Sequence, residues 1–245
     1  MPKSPLKSFN IYDIFANIVP GIVFLLGLTF PFKTQQILGN DITSVINVLF
    51  FVLISFVVGQ VLQLIGGWID KDHNFSRFIE DIIKKESKSK FNVTGIDRYF
   101  IVLCSDTFNL SKNFNNYNHL FKLLLAYLEH SGRSRALRMQ ALYLFSRGIW
   151  VSSWLLFLWF LVLFISLRYG YISADSINLI NLKMDDLRGE FVILISLVIS
   201  FIFGYIFNSV RREIEKDWVM YVVIEFYLDR VTTQQGQQFR QNIQI

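Results

Sequence analysis

The sequence predicts an all-α, polytopic membrane protein with four transmembrane helices and a helical cytoplasmic domain inserted between helices 2 and 3. Three observations carry this prediction. Apolar residues make up 53% of a 245-residue chain that contains 25 Phe and has a mean hydropathy of +0.41, a composition that places it among membrane proteins. Residues 11–32, 45–66, 149–167 and 191–208 are almost free of charge, and as helices they reach about the 30 Å of hydrocarbon that a span must cross. The Lys and Arg residues then divide 20 to 4 between the two sides of the membrane, and the basic side is the cytoplasmic one. Both termini and the insert 67–148 are therefore expected in the cytoplasm.

The first span is too long for a cleavable signal peptide and has no small-x-small exit. Phe9, Tyr12 and Phe15 suit the membrane interface, and Asp13 is shallow enough to reach headgroups. Pro20-Gly21 removes one backbone hydrogen bond inside the span, so a kink or break is expected there. The second span carries Asn47, Ser55, Gln60 and Gln63, and the third and fourth add Ser152, Ser153, Ser196, Ser200 and Asn208. Lipid satisfies none of these groups, so they face other helices or water. A serine can bond back to its own helix. Gln60 and Gln63 are larger and share a face, which makes them candidates for a pore lining or a subunit contact, together with Asn17 and Asn208. No span has a charge near its middle, which argues against a proton pump or an ion-coupled transporter.

The insert opens at the membrane surface with Trp68-Ile69-Asp70. Asp72 is placed to cap a helix carrying Phe75, Phe78, Ile79, Ile82 and Ile83, which ends in the charge run 84–90. A second helix is read from Thr94 to about residue 108, with Ile96, Tyr99, Phe100 and Leu103 inside. A third, 116–130, has a stripe of Leu120, Phe121, Leu124, Leu125 and Leu128, and stops at Ser131-Gly132. Residues 134–148 read as a basic amphipathic helix. Leu137, Ala141, Leu142, Leu144 and Phe145 share a face that Arg135, Arg138 and Arg147 avoid. No proline separates this helix from the third span, so one continuous helix is expected.

The domain map that follows is residues 1–66 for the first two spans, 67–148 for the cytoplasmic helical domain, 149–208 for the last two spans, and 209–245 for a cytoplasmic helix and tail. Arg211 and Arg212 mark the inner surface at the start of that last segment. Its apolar run 218–228, interrupted by Glu225, is too short to span and too apolar to be free. It is expected to be covered by the insert of the same or a neighbouring subunit. The amide-rich end, TTQQGQQFRQNIQI, reads as a flexible tail.

Catalytic chemistry is absent from the pattern. There is no Gly-rich phosphate loop, H-E-x-x-H, Cys pair or G-x-S-x-G. His73, His119 and His130 lie in different helices without metal-ligand spacing, and Cys104 is the single cysteine. No enzyme, metal or cofactor is expected. What remains is a basic cytoplasmic surface, the insert holding 13 basic and 8 acidic residues. Arg133, Arg135 and Arg138 cluster, Arg147 follows at the membrane, and Arg211 and Arg212 are expected at the same depth. Two readings are open. The arginines meet anionic headgroups of the lipid bilayer, or they hold an anionic ligand, a nucleotide or short oligonucleotide, by forked guanidinium contacts. Tyr99, Tyr117, Tyr127 and Tyr143 either stack bases or belong to a core.

Several short motifs add a resemblance. Tyr12-Asp13-Ile14-Phe15, Ile18-Val19-Pro20-Gly21, Gly59-Gln60-x-x-Gln63 and Arg133-x-Arg135-Ala136-x-x-x-Gln140-Ala141-Leu142-Tyr143, set in this layout, resemble small bacterial four-span membrane effectors of antiphage defence loci, of the Hailong type. The resemblance implies a homo-oligomeric channel of the bacterial inner membrane, a tetramer by preference, that depolarises the infected cell. It also implies control by a nucleotide product of a partner nucleotidyltransferase. A homo-oligomeric, ligand-regulated channel or pore-forming effector is thus one functional expectation. The other is a non-conducting, membrane-anchored module that recruits a soluble partner through its helical insert.

Overall fold

A computed structural model describes residues 11–31, 45–69, 96–110, 116–131, 135–171 and 186–243. Among them the chain is all-helical: α1 (Ile11–Thr29), α2 (Val45–Ile69), α3 (Ile96–Phe108), α4 (Tyr117–Ser131), α5 (Arg135–Arg168) and α6 (Asp186–Ile243). Three helices, α2, α5 and the Glu190–Thr233 part of α6, are long and apolar enough to cross a membrane, whereas the apolar stretch of α1, Ile14–Thr29, is shorter. The expected helix over 72–84 and its charge run lie outside the described residues.

Local chemistry sets the helix ends. The Asn116 side chain accepts the His119 N–H at 3.1 Å, which caps the start of α4 as asparagine does well. Asn109 closes α3 in a left-handed conformation with φ 53°, and Leu110 N–H then reaches the Ser105 carbonyl at 3.1 Å. Gly170, φ 71°, does the same after α5, where Tyr171 N–H bonds the Ser166 carbonyl at 2.9 Å. One expectation needs correcting. α6 does not give way to a flexible amide-rich tail but stays helical to Ile243, since glutamine is a good helix former and Gly236 is a single weak position.

The chain divides into two compact units, Met1–Asp70 with Ala141–Glu213, and Lys71–Gln140 with Ile214–Ile245. In the first, α1 and α2 meet backbone to backbone. A Cβ on Gly59 would run into the Asn17 carbonyl, and one on Gly21 into the Ser55 carbonyl. Small residues at such a crossing let dispersion contacts accumulate where lipid supplies no hydrophobic drive between helices. Leu156, Phe160 and Leu163 of α5 bury against Ile193 of α6, with Phe24 and Leu28 of α1 packed onto them. The outer faces stay apolar: Leu49, Leu53, Val57 and Leu64 of α2 and Phe191, Val198, Phe201 and Tyr205 of α6 are exposed. Faces of that extent suit hydrocarbon rather than water. The hydroxyls of Ser55, Ser152, Ser153 and Ser196 each bond back to the carbonyl four residues earlier, at 2.7–2.9 Å.

The second unit has an aromatic core. Phe226 of α6 is fully buried, with the rings of Phe100 and Phe108 of α3 and Tyr127 of α4 at centroid distances of 6.0, 5.8 and 5.3 Å. Trp218 meets Phe121 of α4 edge to face at 5.0 Å. Leu120, Leu124 and Leu128 of α4 and Val219, Val222 and Val223 of α6 are buried as well. The apolar run 218–228 is thus covered by helices of the same chain.

Candidate functional site

The polar chemistry of the first unit converges on Gln63, and the cause lies in Pro20. Proline has no N–H, so the Ala16 carbonyl loses its helical partner one turn earlier. The Gln63 Nε2 of α2 donates to that carbonyl at 3.4 Å and to the Leu144 carbonyl of α5 at 2.5 Å. Its Oε1 accepts from Arg147 Nε at 3.0 Å. An amide that donates on one side to two carbonyls and accepts on the other from a guanidinium has only one consistent orientation. Gly148 allows the approach, since a Cβ there would fall 2.7 Å from Pro20 Cγ and 2.8 Å from Gln63 Nε2. Ser152 adds a bond to the Pro20 carbonyl at 3.3 Å. Three helices are therefore tied by one glutamine that is 8% exposed.

Arg147 is held from several directions. Its guanidinium carbon lies 5.4 Å from the centre of the Tyr143 ring, within cation–π range. Its stem runs along Gly66, where a Cβ would meet Cγ at 2.9 Å and Cδ at 3.1 Å. Arg211, buried, sits over the Trp150 ring at 4.1 Å and donates from Nη2 to Asn208 Oδ1 at 3.1 Å. Asn208 is therefore used in orienting Arg211. Arg212 is exposed, and Asn17 is buried where its carbonyl faces Gly59.

The remaining arginines belong to the second unit. Arg133 lies outside the described residues, and Arg135 and Arg138 are exposed on the first turn of α5. The Glu225 carboxylate accepts the backbone N–H of Arg135 at 2.6 Å and of Ala136 at 3.3 Å. A negative charge on the free amides of a helix start is favourable. Tyr127 is half-buried with its ring against Phe226, its hydroxyl donating to Asp229 Oδ2 at 2.5 Å with Arg230 5.1 Å from its ring centre. Burial first, then the bond to Asp229, pushes its ionisation above the usual tyrosine value. Tyr143 is buried beneath Arg147. The side chains of Tyr99 and Tyr117 are outside the described set. Among the described residues no three His, Cys, Asp or Glu side chains gather as a metal site requires.

Sequence reasoning paired Gln60 with Gln63, but the structure separates them: Gln60 is exposed and Gln63 is turned into its own chain. It also missed the links from Pro20 to Gln63 and from Glu225 to α5. One signal was available, since a proline at position 20 announces a carbonyl at position 16 in need of a donor. Among the described residues, fold and node define an all-helical chain with three helices long and apolar enough to span a membrane. Set against protein-family models, curated proteins and solved structures, the chain matches none of them.

Proposed function

We propose that this chain is a multi-pass protein of the bacterial inner membrane that acts, as a homo-oligomer, as a ligand-regulated channel or pore-forming effector of antiphage defence. The proposal includes α1 as a fourth span. Its 19 residues reach about 28 Å as a helix, and its Pro20 gap is filled from α2. The proposal puts both termini and the 67–148 insert in the cytoplasm, a reading that the division of basic residues supports. The observation that carries the reading is α5. One helix begins with exposed Arg135 and Arg138, passes Arg147 at the Gln63 node, and continues as an uncharged span. A ligand that engages its start and favours one arrangement of that helix has a route to the spanning segment. The ligand class is a nucleotide or short oligonucleotide made by a partner nucleotidyltransferase, and a tetramer is favoured, both through the resemblance to Hailong-type effectors. No catalytic step or cofactor is assigned to the chain.

Replacing Arg135 and Arg138 with Glu tests the ligand arm. Dye-reported depolarisation on expression, with and without the neighbouring genes of the operon, is expected to lose its dependence on those genes. An unchanged response refutes the role of the two arginines. A second reading, a non-conducting anchor that recruits a soluble partner, is favoured by one observation: Gln63 and the back-bonded serines spend their polar groups inside the chain. Single-channel recording of the purified protein in planar bilayers separates the two.

A further inference from the structure

Arg147 presents an edge that the node does not use. Of its five N–H donors, the one on Nε bonds Gln63 Oε1. Nη1 and Nη2 have no hydrogen-bond partner among the described residues. Nη1 lies beside Gly67, 3.8 Å from where a Cβ would stand, in the last turn of α2. Trp68 and Ile69, the two residues that complete that helix, are 72% and 62% exposed. Depth follows from sequence. Arg147 stands two residues before the uncharged run 149–167, and Gly67 follows directly on the apolar run 45–66. Both runs place this edge of Arg147 where hydrocarbon gives way to headgroups. At the far end of α5, Arg168 stands with Glu190 at 3.9 Å and is well exposed. Arg147 has no such acid among the described residues.

We propose that the Nη1 and Nη2 edge of Arg147 binds the phosphodiester of a membrane phospholipid with net negative charge, with Trp68 and Ile69 against the glycerol and upper acyl chain. The chemistry is that of a guanidinium fork on two phosphate oxygens. The fork is already fixed by Gln63 and Tyr143, so little side-chain freedom is lost on binding. The site does not depend on conduction. It serves a channel or a silent anchor equally, and its failure leaves the proposed function standing.

The probe is phosphatidylglycerol against phosphatidylcholine, added to the detergent-purified full chain and read as lipid-bound species by native mass spectrometry. The wild-type chain is expected to retain phosphatidylglycerol in preference. Arg147→Gln is expected to weaken that retention about tenfold, the size of one charged hydrogen-bonding contact. Gly67→Asp keeps Arg147 and its bond to Gln63 but sets a carboxylate beside Nη1, and is expected to give the same loss, while Gly67→Asn retains the lipid. Gly67→Asp carries the test if Arg147→Gln fails to fold. Equal retention in Gly67→Asp and wild type overturns the site. Displacement of the lipid by millimolar inorganic phosphate assigns the fork to a free anion and overturns the lipid.

Discussion

Replacing Gln63 with Leu tests whether the node holds the helices together or merely decorates them. The substitution removes a donor from the Ala16 carbonyl that Pro20 has already left without a helical partner, and an acceptor from Arg147 Nε. The bond lost by the charged Nε is worth about 1.5–3 kcal/mol, and each carbonyl contact about 0.5–1.5 kcal/mol, toward the low end for Leu144, whose helical amide partner remains. Leucine returns about 1 kcal/mol by burying extra apolar surface, so a net loss of about 2–4 kcal/mol is expected. Gln60→Leu is the control, exposed on the same helix, with an expected effect within about 0.5 kcal/mol. Unfolding by SDS titration in mixed micelles measures both. A Gln63→Leu chain as stable as Gln60→Leu refutes the reasoning.

Three further outcomes follow from the packing. Gly59→Leu forces a side chain into the Asn17 carbonyl, so α1 and α2 must separate; a cysteine pair across that crossing, which crosslinks on the wild-type background, is expected to stop crosslinking. Glu225→Ala strips the carboxylate from the first amides of α5 and is expected to cost about 1 kcal/mol, as for a lost cap, with slower loss in Glu225→Gln, read by hydrogen exchange at residues 135–138. Burial pushes the Cys104 thiol from 9.0 up to about 12, so maleimide is expected to leave it unmodified at pH 8 until the chain unfolds. The folded state favours the protonated thiol, so this contribution is present below pH 9 and is lost as pH rises toward 12.

Periodicity made the helices legible, because each buries one face of its own. The reading of 94–108 and 116–130 meets α3 and α4 within two residues, and the missing proline between 134 and 167 correctly joined α5. The run 218–228 had to be covered on grounds of apolarity alone, and α3 and α4 cover it. Gln63 was not legible in its role. Its stripe on α2 shows only that it lies near Gln60, while its partners come from carbonyls 47 and 81 residues distant in sequence. Glu225 was read as a flaw in an apolar run because the amides it caps belong to another helix, 90 residues away. Long-range pairings of backbone groups leave no periodic trace.

Under the proposed channel reading, the same pairings bound what a pore would be made of. Gln63 is committed to α1 and α5, and four serines are committed to their own helices. The polar side chain of α2 left facing outward in mid-helix is Gln60, with Val57, Val61 and Leu64 around it. One glutamine among apolar neighbours lines no water path by itself, so several copies must bring theirs together. Under that reading conduction takes one of two forms: Gln60 side chains ring the path, or α5 shifts and releases Gln63 and Arg147 to water. Gln60→Leu distinguishes them, because it leaves the node intact. In planar bilayers it is expected to abolish conductance while stability in micelles stays at the wild-type level. Undiminished conductance in that variant removes Gln60 from the path and leaves the release of Gln63 as the opening step.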